Sequence, residues 1–200
     1  MVYNSCSCFV EFVMPQVIKY NRVLSKFAVV SDFLTQEEVE ILLDIEKKLM
    51  FGKDQQNGKN KADVAVFPPN QETQWVFDKF SNLIGRVNID FFMYDIDGFD
   101  TFQFVKYKKN QECGWHYDVD FAFLNWERKI CASIMLTDPE EYLGGDLEVM
   151  STGDPDEVVP LRPPVGHVVF YPPWMPARVT PVTSGTRKTL NAWIMGKRGC

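Results

Sequence analysis

No apolar run in the 200-residue sequence approaches the length needed to cross a bilayer, which excludes a transmembrane helix as a reading. There is no basic excess either. Lys and Arg number 21 against 27 Asp and Glu, a net charge of −6, so no broad cationic face for nucleic acid is expected. Cysteine is sparse and odd in number, with Cys6, Cys8, Cys113, Cys131 and Cys200 scattered along the chain. That is no disulfide framework, and it favours a reducing, cytoplasmic setting. Cys6-x-Cys8 would be half a zinc site only if a second suitably spaced pair followed; none does, so free thiols are the better reading. The first residues lack a basic region ahead of their apolar stretch, which Glu11 and Pro15 interrupt, so no secretory signal is expected. Repeats, low-complexity tracts and domain-boundary signals are also missing. Residues 1–200 are therefore expected to form one domain, with 1–98 supporting a core at 99–196.

What is present reads as an ordinary globular protein, 46% apolar and 24% charged. Residues 1 to about 30 suggest one or two strands. Thr35-Gln36-Glu37-Glu38 is a capping box, and Val39, Leu42, Leu43, Glu46 and Leu49 follow at helical spacing, predicting a helix to about Leu49. Residues 52–63 carry almost no apolar residue and read as a mobile loop. A second helix is predicted from Gln71 to about Asn88, with Trp75, Phe80, Leu83 and Val87 facing inward. After Asp90 the texture changes to short strands: 94–98, 101–107, the stretch around His116, 129–136, 147–150, 167–171, 179–182 and 188–195. Gly/Pro-rich turns separate them. Two helices followed by many short strands predict a mostly β, α+β protein whose strands form a double-sheet jelly roll. The basic run Lys106-Tyr107-Lys108-Lys109 reads as a solvated strand end.

Two clusters carry chemistry. In Gly114-Trp115-His116-Tyr117-Asp118, a histidine and a carboxylate two residues apart on an extended segment point the same way. They supply two corners of a metal site, weak as a signal by itself but compatible with the facial triad of non-haem iron oxygenases. Near the other end, Arg187, Thr189, Asn191 and Trp193 occupy alternate positions and should share one face of a strand. A guanidinium there is costly to bury unless an anion meets it, and its fork suits a carboxylate. Thr189 could donate a second hydrogen bond to that anion. An internal Arg–Asp or Arg–Glu pair is the competing reading.

From about Phe99 to Gly196 the sequence resembles the Fe(II)- and 2-oxoglutarate-dependent oxygenases, in particular the prolyl-hydroxylase-like branch. The matching pieces are, in order, Gln103 to Tyr107, Trp115 to Asp118, Leu136 to Pro139 with Tyr142 to Leu147, Gly166 to Tyr171 and Arg178 to Arg187. The resemblance implies a double-stranded β-helix (jelly roll) with N-terminal supporting helices. It makes His116 and Asp118 iron ligands and Arg187 the partner of the distal carboxylate of 2-oxoglutarate. Tyr107 and Thr189 become hydrogen-bonding helpers, and Trp193 a wall beside the metal or a core residue. The implied cofactors are Fe(II), 2-oxoglutarate and O2, with ascorbate a candidate reductant. The implied reaction is hydroxylation of a C–H bond coupled to decarboxylation of 2-oxoglutarate to succinate.

One position departs from the pattern. Where the family carries its second histidine ligand, ten residues before Arg187, this sequence has Ala177. Three readings compete: a substitution that disables an otherwise intact oxygenase, a member that has lost iron and only binds, and a rearranged site. The rearranged site has one candidate ligand, His167, the only other histidine. Loss of the third ligand implies weak iron binding and slow or absent turnover. The branch suggests a prolyl residue in a peptide or protein as substrate, with no nucleic acid or membrane partner and a monomer or weak dimer as the assembly. Residues 52–63 and 119–128 are candidate lids, the latter carrying Phe121, Phe123 and Trp126 as substrate contacts or packing residues. The reading from another class is a catalytically silent jelly-roll binding module that keeps the 2-oxoglutarate pocket.

Overall fold

Thr35 opens the first helix as expected: its Oγ1 accepts from the Glu38 amide at 3.3 Å, and its own amide donates to the Glu38 carboxylate at 2.8 Å. Such a reciprocal cap is worth about 1 kcal/mol. The computed structural model describes residues 17–18, 27–54, 60–99, 101–119, 127–150 and 157–197. Helix α1 runs over Gln36–Glu46, ending short of Leu49, and α2 over Gln74–Val87. The latter starts three residues after the predicted Gln71, because Asn70 and Thr73 close a turn ahead of it in which the Asn70 amide donates to Thr73 Oγ1 at 2.8 Å. Val76, Phe80, Leu83 and Val87 are buried, whereas Trp75 is only half-buried against the core.

The strands are β1 (Val17–Ile18), β2 (Ala28–Val30), β3 (Gly52–Lys53), β4 (Asp63–Phe67), β5 (Gly98–Phe99), β6 (Phe102–Lys108), β7 (Cys113–His116), β8 (Arg128–Met135), β9 (Leu143–Gly144), β10 (Leu147–Met150), β11 (Val158–Leu161), β12 (Val168–Tyr171), β13 (Ala177–Val179), β14 (Val182–Ser184) and β15 (Thr186–Met195). Several differ from the sequence reading. Part of the expected 52–63 loop is strand β3, paired with β4; residues 55–59 lie outside the described residues. The strand expected at 94–98 shrinks to Gly98–Phe99, and the one expected at 179–182 becomes β13 and β14. Those two are separated at Thr180-Pro181, where proline supplies no amide for a ladder. Strand β11 was not foreseen. The thiols Cys6, Cys8 and Cys200 lie outside the described residues, whereas Cys113 and Cys131 are buried.

Pairing is antiparallel throughout the described ladders. A nine-stranded sheet has the order β1-β2-β12-β8-β15-β6-β4-β3, with β5 also on β15; a four-stranded sheet has the order β11-β10-β13-β7; β9 and β14 form a small ribbon. The result is the expected mostly β, α+β jelly roll with supporting helices. The period of two sorts each central strand of the large sheet. Phe102, Phe104, Ile130, Ile134, Phe170, Leu190 and Ile194 face one way and pack with Leu42, Phe80 and Val87 of the helices. Val105, Tyr107, Cys131, Met135, Val169, Tyr171 and Trp193 face the other way, toward Leu147, Val149, Ala177 and Val179 of the small sheet. Lys106 is not the solvated residue its neighbours suggested. It and Lys188 donate to the buried Glu46 at 2.8 and 2.7 Å, tying α1 to the helix-facing side of the sheet. Among the described residues, no helix is long and apolar enough to cross a membrane.

Candidate active site

Between the two sheets lies a cavity of about 440 Å³, and strand alternation decides which side chains line it. Strand β7 ends at His116, and the chain turns there. The amides of Asp118 and Val119 both donate to the Pro173 carbonyl, at 2.9 and 3.2 Å, which holds Asp118 over the cavity. His116 and Asp118 therefore meet as expected, with Nε2 3.8 Å from Oδ2. The other imidazole nitrogen, Nδ1, lies 2.9 Å from the Gly114 carbonyl and 3.4 Å from Cys113 Sγ. Contact of Nδ1 with a carbonyl fixes the ring so that Nε2 faces Asp118.

The Asp118 carboxylate is ringed by donors. Trp193 Nε1 donates to Oδ1 at 3.0 Å, while Tyr171 Oη and Cys131 Sγ each donate to Oδ2 at 3.3 Å. Arg128 donates to the Asp118 backbone carbonyl at 3.0 Å, sits 3.8 Å from Oδ1 and lies over the Trp193 ring. Burial first, and the Asp118 charge second, push the Cys131 thiol and the Tyr171 phenol well up, so both stay protonated donors. Trp193 is thus more than a wall. Arg128, Cys131 and Tyr171 were missed from the sequence, although Cys131 and Tyr171 lie on the cavity-facing alternation of predicted strands.

Ala177 stands opposite His116 in the β13–β7 ladder and is buried. The position expected to carry a third ligand is therefore brought beside the His–Asp pair, and it holds a methyl group. Among the described residues, no three His, Cys, Asp or Glu side chains come together in a group that could hold a metal ion. His167 does not replace the missing donor. Its Nδ1 lies 3.3 Å from the Val165 carbonyl ahead of β12, and the residue is not part of the cavity wall. Phe121, Phe123 and Trp126 lie outside the described residues.

Arg187 and Thr189 follow the predicted alternation. Arg187 is 3% exposed, yet no carboxylate among the described residues pairs with it. Its contacts are Met135 Sδ, 3.8 Å from Nη2, and the Tyr107 ring, 5.8 Å from the guanidinium carbon. Thr189 Oγ1 is fully buried with no hydrogen-bond partner among the described residues. Tyr107 lines the same space, its phenol pushed up by burial. Among the described residues, then, no carboxylate meets this buried cation and no partner meets the buried hydroxyl, an arrangement that leaves both available to an anion.

Gly145 presses against this pocket with φ +69°; a Cβ there would come within 2.8 Å of Val182 Cγ2 and 3.3 Å of Arg187 Cδ. The preceding turn is locked by Arg162, whose guanidinium donates to the carbonyls of Pro139, Tyr142 and Gly144 and to Asp146 Oδ1.

The fold, and the sequence over its second half, resemble those of a known class. Residues 102–195 match the 2OG-Fe(II) oxygenase superfamily. Over that stretch the chain resembles the family. It is 36% identical over 96 residues to a PKHD-type hydroxylase of Aliarcobacter butzleri, a match covering 46% of this chain and 41% of the relative. A PKHD-type hydroxylase of Klebsiella pneumoniae is likewise 36% identical, over 95 residues. The chain thus spans well under half the length of the curated relatives it matches. Among solved structures, a Pseudomonas putida prolyl-4-hydroxylase superposes with a TM-score of 0.68 at 18% identity, covering 86% of this chain and 94% of that one. A Trichoplax adhaerens prolyl hydroxylase, solved with a hypoxia inducible factor peptide fragment, gives 0.71 at 16% identity, covering 86% and 84%.

Proposed function

We propose that this chain is an Fe(II)- and 2-oxoglutarate-dependent dioxygenase domain that hydroxylates a prolyl residue of a peptide or protein, impaired by Ala177. The observation that supports it most is Arg187, which lines one cavity with His116 and Asp118 and, like the buried Thr189 hydroxyl, has no anion partner among the described residues. A buried guanidinium and an orphan hydroxyl fit one carboxylate of 2-oxoglutarate, with Tyr107 closing the pocket side. His116 and Asp118 fit a divalent ion in kind, one nitrogen and one oxygen donor, but not in number. When bound, iron and 2-oxoglutarate would supply the oxidising chemistry, the keto acid giving up CO2 to leave succinate and the two atoms of O2 going to succinate and to the hydroxylated product. The chain's own part is to orient the carboxylate, to hold the imidazole and Asp118 in place through Gly114, Trp193 and Tyr171, and to keep water out between the sheets. Ascorbate is the reductant expected to sustain turnover, and a monomer or weak dimer in a reducing compartment is the expected setting.

The peptidyl-proline reading draws on the neighbour solved with a peptide and on the prolyl hydroxylases among the structural relatives. The test is a panel of proline-containing peptides with the Ala177→His protein, 2-oxoglutarate and Fe(II). A mass gain of one oxygen on a peptide is expected. Consumption of 2-oxoglutarate with no peptide modified would overturn the substrate class. The donor ring around Asp118, together with Ala177, also supports a second reading, a binding module that keeps the keto-acid pocket without turnover. For that protein, Ala177→His would bind metal yet form no succinate.

A further inference from the structure

Two steps beyond Thr189 on the same face of β15, a polar row crosses the cavity floor. Asn191 is the register partner of Gln103 on β6 and of Ser133 on β8, so three polar side chains stand abreast on adjacent strands. All three line the cavity. Ser133 Oγ donates to Asn191 Oδ1 at 2.9 Å, which aims the Asn191 NH2 away from its own acceptor side. Among the described residues, neither that NH2 nor any part of the Gln103 amide has a partner. Amide groups that line a cavity without a partner among the described residues are available to whatever occupies it.

Its place on the strand says what that ligand is. Arg187 offers a cationic donor to the cavity, and Trp193, bonded to Asp118, lines it further along the same strand. Asn191 lies between them, so a molecule anchored by a carboxylate at Arg187 extends over the Gln103–Asn191 row. Free amide N–H groups suit a second carboxylate with its adjacent keto oxygen.

We infer that the Gln103–Asn191–Ser133 row binds the 2-oxo acid end of 2-oxoglutarate directly, so that this chain takes up the keto acid without a metal ion. This rests on the Arg187 pocket reading and deepens it: with a methyl group at Ala177, amide donors take over holding that a third protein ligand and a tight ion would otherwise secure. Glutarate, which lacks the oxo group, satisfies fewer of these donors.

The test is calorimetric titration of the full chain with 2-oxoglutarate in EDTA, repeated with glutarate, with Mn(II) in place of EDTA, and with Gln103→Leu, Asn191→Leu and Arg187→Met. Metal-free binding is expected, with glutarate and each floor variant weaker by roughly ten- to hundredfold, the loss of a hydrogen bond to a charged group. The Gln103 side chain makes no hydrogen bond to the described residues, so its leucine variant carries the test should Asn191→Leu fail to fold. Binding only when Mn(II) is present, unchanged affinity in Gln103→Leu, or equal binding of glutarate would each overturn the inference while leaving the Arg187 pocket standing. Loss of all binding in both media, in the parent chain and in Ala177→His alike, or binding indifferent to Arg187→Met, would instead overturn the pocket reading itself.

Discussion

Arg187 and Gly145 define the tolerance of the keto-acid pocket at the scale of single residues. Arg187→Lys keeps a charge but loses the planar fork, and with it a bidentate hold on a carboxylate. A fall in 2-oxoglutarate affinity of about tenfold or more is expected by calorimetry; unchanged affinity would mean the carboxylate is held elsewhere. Gly145→Ala attacks the same pocket from the backbone. Its φ of +69° is one that alanine adopts only with strain, and its methyl would press on Val182 and Arg187. A loss of about 1–3 kcal/mol in urea unfolding is expected, together with weaker keto-acid binding. Stability and binding both at parental values would show that the turn has room to give. The meeting of His116 with Asp118, and the shared strand of Arg187 and Thr189, were legible in the sequence because a period of two and an ordered set of motifs place them. Arg128 was not, since its role depends on a cation stacked on Trp193 from another strand, a contact that no local spacing encodes.

Among elements, α1 is fastened to the sheet by charge as well as by apolar contact. Glu46 accepts from Lys106 of β6 and Lys188 of β15, which stand directly opposite each other in the ladder. Glu46→Ala would leave two half-buried ammonium groups facing each other without an anion. A cost of about 2–4 kcal/mol is expected, at the lower end because both lysines keep some contact with water. A change below about 0.5 kcal/mol in urea midpoint analysis would show that helix docking is wholly apolar. The sequence revealed the helix through its capping box and placed Glu46 on the inward stripe, but could not reveal the partner lysines. Those sit 60 and 142 residues away. The same limit explains β3 and β4: Gly52, Lys53 and Asp63 read as loop residues, and strand pairing overrode that composition. At Val179–Val182 the apolar ends suggested one strand, and Pro181 made it two.

For the whole molecule, the large sheet draws on both halves of the chain, since β2 pairs with β12 and β4 with β6. We propose one cooperative folding unit on that basis. Its acid limb follows from two carboxylates. Burial alone would raise Glu46, but Lys106 and Lys188 outweigh it and hold the carboxyl below the usual range. For Asp63, burial is likewise outweighed by Lys108 and Lys53, lowering it to about 2. A carboxyl depressed in the folded state stabilises above its unfolded value of about 4 and loses that contribution as pH falls through the folded value. Urea midpoints should therefore fall between about pH 4 and pH 2, and the Glu46→Gln, Asp63→Asn double variant should lose less stability across that interval. Identical pH slopes in the two proteins would exclude these residues as its source.

The most direct test of the site as a whole is Mn(II) binding, followed by electron paramagnetic resonance in the presence of 2-oxoglutarate, for the parent chain beside Ala177→His. A third donor opposite His116 should tighten binding by about tenfold or more. In the same samples reloaded with Fe(II), succinate should form faster in the histidine variant. Equal Mn(II) affinity in the two proteins would contradict the account, because the position beside His116 would then not be a metal corner at all.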